Sequence, residues 1–362
     1  MAKSLLFIPD ISGFTKFVQT TEVEHSQHVI AELLEVLLAA NTQNLKLAEI
    51  EGDALFFYKE EELLSQERLL AQIETMFTTF HSHLKLMEKN RICPCNACAS
   101  APKLQLKLVA HCGELRFLEI QGSRKPFGQE VIEAHRLLKN SIDSENYALV
   151  SKTLAAEIGL PIYYCSRVFR FKEGQDLYDG KELRYIYALI DQEKLVLNTF
   201  DEGKTVHFDT PPQLSIQKKF PIAAKTLLEY ITNYGYRHYW VKGADRFEYN
   251  ENEVTRLGSA HICVVNGKHL NFVAVTKTVN IGQLIYGEMT TSPPPVDELY
   301  QFYIVTPMAS DRCVLEVHVH WKARSPIKRL IMVLFGKRSF KKNLDIALTD
   351  LEHFIASRSE SD

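Results

Sequence analysis

Apolar residues change their period several times along this chain, and each change predicts an element. Leu5 to Ile8 and Ala54 to Tyr58 are short apolar runs of strand length. Between them, Val29, Ile30, Leu33, Leu34, Leu37 and Leu38 recur at helical spacing and predict a long helix with one broad apolar face. Leu63 to Phe80 repeats that pattern through Leu69, Leu70, Ile73, Met76 and Phe77. Leu104, Leu106, Leu108 and Ala110 then alternate as a half-buried strand does. Tyr163-Tyr164, Val168 to Phe171 and Leu183 to Ile190 predict strands that finish or flank this first region.

Thr199 to Pro212 is polar and ends in a Pro-Pro pair, so it reads as a linker over 199–212. A different plan follows. Leu214 to Phe220 alternates as a strand, and Pro221 opens a helix over Ile222 to Tyr234. Strand-like runs come next at Asp245 to Tyr249, Ala260 to Val265, Leu270 to Lys277, Gln283 to Met289, Leu299 to Thr306 and Cys313 to Trp321. Ile327 to Ser357 reads as one long helix, with Leu344, Ala347, Leu348, Leu351 and Phe354 in register. The expectation is an α+β protein of two domains, 1–198 and 213–358.

Composition narrows the class of protein. The 362 residues suffice for two domains that each bury a core, and 46% hydrophobic with 24% charged residues is an ordinary globular balance. A net charge of −3 gives no electrostatic reason to expect nucleic acid or an anionic membrane as partner. No apolar run approaches the roughly 20 residues of a membrane span, and no signal-peptide pattern opens the chain, so a cytoplasmic location is expected. Seven cysteines in that setting predict reduced thiols.

Two acids stand in unusual surroundings. Asp10 lies in Phe7-Ile-Pro-Asp-Ile-Ser-Gly-Phe-Thr15 and Asp53 in Glu49-Ile-Glu-Gly-Asp53, each beside a strand-like run and a glycine. Carboxylates so placed, next to the start of a helix at Phe14, suit a divalent ion that bridges to a polyphosphate. The pair resembles the metal site of the class III nucleotidyl cyclases, the adenylate and guanylate cyclases. Two further segments in the same order carry the resemblance: Leu106 to Leu115 with His111-Cys112-Gly113, and Gly128 to Leu137 with Val131, Ala134 and Arg136. All four motifs lie within residues 1–145.

The resemblance implies a ferredoxin-like catalytic domain that acts as a homodimer. Asp10, Asp53 and the backbone carbonyl of Ile11 would hold two Mg or Mn ions, and Arg136 of the other copy would stabilise the transferring phosphoryl group. The reaction would turn a nucleoside triphosphate into a 3′,5′-cyclic nucleotide and pyrophosphate. Two departures stand out. The family's ribose-orienting Asn falls at Ile132, which has no donor. The base-reading positions hold Glu49 and Lys125, a set that fits guanine at least as well as adenine, or that forms an ordinary solvated salt bridge.

The second region resembles the START-like helix-grip fold, the polyketide-cyclase or Bet v 1-like family, on its element order and on Arg256-Leu-Gly258-Ser-Ala-His-Ile-Cys263-Val. That fold implies a cavity between sheet and long helix for a small hydrophobic ligand. Tyr239, Trp240, Phe272 and Trp321 are candidate lining residues, with His261, His318 or His320 as polar contacts. Between the regions' motifs, Cys93-Pro-Cys95-Asn-Ala-Cys98 puts three thiols in six residues, a spacing that suits Zn(II). A fourth ligand would come from His81, His83, Cys112 or a second copy. Three readings follow: a ligand-regulated cyclase, a nucleotide sensor that has lost turnover, or a hydrophobe carrier with a scaffold domain.

Overall fold

In the computed structural model, whose described residues are 2–291, 293 and 295–359, two compact units form, Met1–Leu86 with Ser100–Phe200 and Met87–Ala99 with Asp201–Asp362. The segment 87–99, expected inside the first domain, therefore groups with the second.

The first unit is built around β1 (Ser4–Ser12), whose Leu5, Leu6, Phe7 and Ile8 are wholly buried and so demand cover on both faces. After it come α1 (Phe14–Thr20), α2 (Val23–Ala39), the hairpin β2 (Lys46–Glu51) and β3 (Ala54–Lys59), and α3 (Gln66–Lys89). Next, past the short helix α4 (Asn96–Ser100), which lies almost wholly in the segment that groups with the second unit, are β4 (Gln105–Gly113), the hairpin β5 (Arg116–Ile120) and β6 (Ser123–Phe127), and α5 (Gln129–Leu138). β7 (Tyr147–Ser151), α6 (Lys152–Glu157), β8 (Lys172–Tyr178) and β9 (Lys181–Leu189) complete it.

The sheet order is β2-β3-β1-β4-β7-β9-β8, antiparallel except for β4 beside β7. Its β4-β1-β3-β2 part, with helices between β1 and β2 and between β3 and β4, is the ferredoxin-like arrangement. Alternation along β1 decides the faces. Leu6 and Ile8 pack with Ala54, Phe56 and Ala134, so α5 covers that face and Asp10 shares it. Leu33 and Leu37 of α2 and Ile73, Met76, Phe77 and Phe80 of α3 are buried, as their helical spacing predicts. β8 was not expected from its sequence: it is a polar edge strand, whose side chains alternate outward and leave no hydrophobic signal. Val168 to Phe171, expected as a strand, forms an isolated bridge between Cys165 and Arg170 instead, with Val168, Phe169 and Phe171 buried.

The second unit contains β10 (Leu214–Phe220), α7 (Ala224–Thr232), α8 (Tyr234–Trp240), β11 (Arg246–Glu248), β12 (Ala260–Val265), β13 (Lys268–Val275) and β14 (Leu284–Thr291). β15 (Glu298–Ala309), β16 (Arg312–Lys322), α9 (Pro326–Ile331), a π turn (Met332–Gly336) and α10 (Lys337–Ser359) follow. Its antiparallel sheet runs β10-β16-β15-β14-β13-β12-β11, so the first strand pairs with the last. One face carries the helices: Leu227, Leu228 and Ile231 of α7 and Leu344, Leu348 and Leu351 of α10 pack on Tyr303, Val305, Leu315 and Val317. The other face is covered by Val206 and Phe208 on Tyr300 and Phe302. The stretch expected as a linker thus has its second half on this sheet, with Val206 N–H donating to Thr276 O at 2.7 Å. The single helix expected over Ile327 to Ser357 is interrupted by the π turn.

Candidate metal and nucleotide site

The β2–β3 hairpin brings the two acids together. Its two-residue turn is Gly52-Asp53, with Gly52 at φ 68, the positive first position that a type II′ turn requires and a side chain would strain. Asp10 sits opposite Ala54, and the Ile11 N–H donates to the Asp53 carbonyl at 3.1 Å, folding the hairpin tip onto the end of β1. Gly13, at φ 87, then turns the chain into α1.

Electrostatics mark this pair. Burial, with the Asp53 charge added, pushes the Asp10 carboxyl up to about 6. Burial also raises Asp53, against its own backbone hydrogen bond and Lys107. Lys107 draws both down, but its ammonium is itself paired with Glu145 at 2.6 Å. Two half-desolvated carboxylates short of positive charge are a donor set that a hard divalent cation completes. The residues present therefore fit Mg or Mn.

The other expected site residues are placed as follows. Arg136 projects from α5 and forms an ion pair with Asp179 in the β8–β9 turn. Among the described residues no ion pair joins it to Asp10 or Asp53. Ile132, one turn earlier on α5, is 53% exposed. Glu49 and Lys125 meet each other at 3.0 Å, both half exposed, from β2 and β6. Of the aromatic candidates in the second unit, Trp240 is core and donates its indole N–H to Tyr230 O at 3.2 Å. Tyr239 is outward and stacks on Phe354, Phe272 stacks on His261, and Trp321 stacks on Phe340 beside a cavity of about 790 Å³. Of the four, Trp321 lines that cavity. His318 is held between Lys277 and Glu316, and His320 stacks on Phe208 at 3.8 Å.

Sequence reasoning missed the partner of His111. Its Nδ1 lies 2.8 Å from Ser151 Oγ and its Nε2 2.9 Å from Glu130 of α5. Gly113 allows this: a Cβ there would stand 2.4 Å from the Glu130 carboxyl. Glu133, one turn on, is in the same group of donors and pairs with Lys181. The signal was the His-x-Gly spacing read together with the first turn of α5.

The three cysteines do cluster. Their sulfurs lie within 4.8 Å of one another, with Cys95 N–H directed at Cys93 Sγ (3.5 Å) and Cys98 N–H at Cys95 Sγ (3.3 Å). The Cys98 thiol is held well above its ordinary range by hydrogen bonds with Cys93 and Cys95, and by burial. Three expected fourth ligands are engaged elsewhere: His81 faces Asn146 at 3.2 Å, His83 faces Glu32 at 2.7 Å, and Cys112 is buried in β4.

Residues 30–147 match a family model described as a protein of unknown function, DUF2652. An uncharacterized protein of Mycobacterium tuberculosis, Rv2561/Rv2562, is 32% identical over 129 residues, which is 35% of this chain and 58% of that protein. The chain thus spans little more than half the length of this curated relative. Among solved structures, the adenylyl cyclase CyaB from P. aeruginosa is 17% identical at a TM-score of 0.39, covering 52% of this chain and 94% of that one. The catalytic core of a rhodopsin-guanylyl cyclase, solved with ATPalphaS, is 12% identical at 0.40, covering 52% and 96%. A bacterial light-regulated adenylyl cyclase is 14% identical at 0.38, covering 52% and 90%. No helix among the described residues is long and apolar enough to cross a membrane.

Proposed function

We propose that the first unit is a class III cyclase-like domain that binds a nucleoside triphosphate through divalent ions on Asp10 and Asp53. The observation that carries this is the pairing of the two half-buried acids by the hairpin, with Asp10 pushed up to about 6. Asp10 and Asp53 would hold the ions, which would supply activation of the ribose 3′-hydroxyl and charge neutralisation for the departing pyrophosphate. The Ile11 carbonyl is the proposed third ligand. Arg136 is paired with Asp179 and, among the described residues, forms no ion pair with Asp10 or Asp53 of its own chain, which favours an active site completed by Arg136 of a second copy. The protein is accordingly read as a homodimer.

A second reading, a nucleotide sensor without turnover, is favoured by Ile132 and by the Glu49–Lys125 pair, which occupies the base-reading groups with each other. Removing one positioning donor costs about 2.7–4 kcal/mol at a transition state, a hundredfold or more in rate. The test is incubation with Mn(II) and each of the four nucleoside triphosphates, read by mass spectrometry, beside Asp53→Ala. Cyclic product lost in the variant supports the enzyme; Asp53-dependent binding of a triphosphate without product supports the sensor. Absence of both would refute the site.

For the second unit, the helix-grip reading is supported by its antiparallel sheet with α7 and α10 on one face. For Cys93, Cys95 and Cys98 we propose a Zn(II) site, supported by the mutual approach of the three sulfurs and by N–H donors directed at two of them, which favour thiolate.

A further inference from the structure

Between Trp321 and Phe340 the second unit turns an apolar stripe outward. Ile327, Leu330, Ile331, Leu334 and Phe335 follow the i, i+3, i+4, i+7, i+8 spacing of one helix face. That spacing ordinarily marks the face turned to a core. Here all five are exposed, Ile327 and Phe335 to 71% each, and Val333 beside them to 77%. The inward side of the same segment is already occupied by Met332, which is buried, and by Phe340 on Trp321. The stripe passes through the π turn Met332–Gly336, a widened turn of a kind that recurs at functional sites.

The charge of this segment is as unusual as its exposure. From residue 322 to residue 344 there are lysines and arginines but no Asp or Glu, in a chain whose net charge is −3. Lys322, Arg324 and Lys328 are answered by Asp297 and Glu298. Lys337, Arg338, Lys341 and Lys342 are exposed and make no ion pair among the described residues. The cavity of about 790 Å³ opens at the same place, lined by Trp321, Met332 and Val333 together with Arg324, Arg329 and Lys337. Apolar side chains and unanswered cations thus share one face.

We propose that this face, Pro326 to Lys342, lies on an anionic lipid bilayer. Ile327, Leu330, Leu334 and Phe335 enter the boundary between headgroups and acyl chains, and the four unpaired cations meet the negative headgroups. Charge decides against a second copy as the occupant, because a two-fold interface would set the same cations against themselves. The mode is attachment in the plane of the surface, for which this segment has the amphipathic length and no span is needed. The whole-chain charge of −3 does not register this local basic patch, and a surface responds to the patch within a Debye length of about 8–10 Å.

The test is sedimentation of the full chain with vesicles of phosphatidylcholine alone and with vesicles containing about a third phosphatidylserine. Binding is expected to the anionic vesicles only, weakening as salt rises. Changing Lys337, Arg338, Lys341 and Lys342 to Gln should lower the affinity about fivefold for each charge removed. Leu334→Glu with Phe335→Glu should abolish binding while leaving the thermal melt unchanged, since both side chains are exposed. Failure of the wild type to sediment with anionic vesicles, equal binding to neutral ones, or full binding by the double glutamate variant would each overturn the proposal. So would a loss of self-association in that variant, seen by light scattering, with no lipid binding by the wild type; the face would then belong to a second copy.

Discussion

The backbone N–H of Ile11 donates to the carbonyl of Asp53 at 3.1 Å, and this one bond ties the tip of the β2–β3 hairpin to the strand that carries Asp10. Without it the hairpin tip would be free to splay, as turn tips generally are. With it, two partly buried carboxylates stand near enough for the Asp53 charge to act on Asp10, and burial raises both. In the proposed site a divalent cation would relieve the repulsion that the Asp53 charge exerts on Asp10.

That repulsion has a pH signature. With Asp10 pushed up to about 6, the folded chain keeps a proton there over a range in which the unfolded chain has already lost it. Its destabilisation is absent below the unfolded pKa of about 4 and fully present above the folded one. Asp10→Asn should therefore raise the melting temperature of metal-free protein near neutral pH, by the equivalent of about 3 kcal/mol, with little effect in acid. Mg or Mn should stabilise the wild type near neutrality and cease to do so as pH falls through the Asp10 pKa. A melting temperature that ignores both metal and Asp10→Asn would count against the pair.

Gly113 and Glu130 are expected to be coupled. Gly113→Ala would drive a methyl group into the Glu130 carboxyl and part it from His111, a crowding that typically costs about 1–3 kcal/mol. Glu130→Ala in the same chain should recover part of that loss. Denaturant melts of the two single variants and the double variant measure the coupling, and strict additivity would contradict the contact.

In the second unit, Arg237 and Glu288 form a buried pair through two contacts, at 3.2 and 3.0 Å, and Tyr286 donates to Glu288 at 3.0 Å. Burial works against the Glu288 charge, and Arg237 together with His261 and Tyr286 more than offsets it, leaving the carboxyl below its usual range. Arg237→Met should cost about 3–5 kcal/mol because it strands a buried carboxylate. Replacing both residues with apolar ones of similar volume should cost much less. Equal losses for the single and double variants would mean that packing, not charge, holds this region.

Zinc should accompany protein purified without added metal, at one equivalent per chain by elemental analysis. Cys95→Ser is expected to lower that content, and chelation should make all three thiols of 93, 95 and 98 reactive to alkylation. Metal-free protein whose three thiols are alkylated as fast as small-molecule thiols would remove the site.

The sequence by itself determined the local elements and the chemical vocabulary. Helical spacing in α2 and α3, alternation in β4, and the short Gly52-Asp53 turn all depend on neighbours within a few residues, so they are legible in one dimension. The two acids and the cysteine cluster were legible for the same reason. Tertiary structure decided what lies far along the chain or depends on direction. Glu130 reaches His111 only because α5 crosses β4 where Gly113 leaves room. Arg237 finds Glu288 across 51 positions. The spacing of Ile327 to Phe335 predicts a helix with an apolar face, but periodicity carries no sign. Which way that face points was decided by Met332, Phe340 and Leu344, which had already taken the inward side.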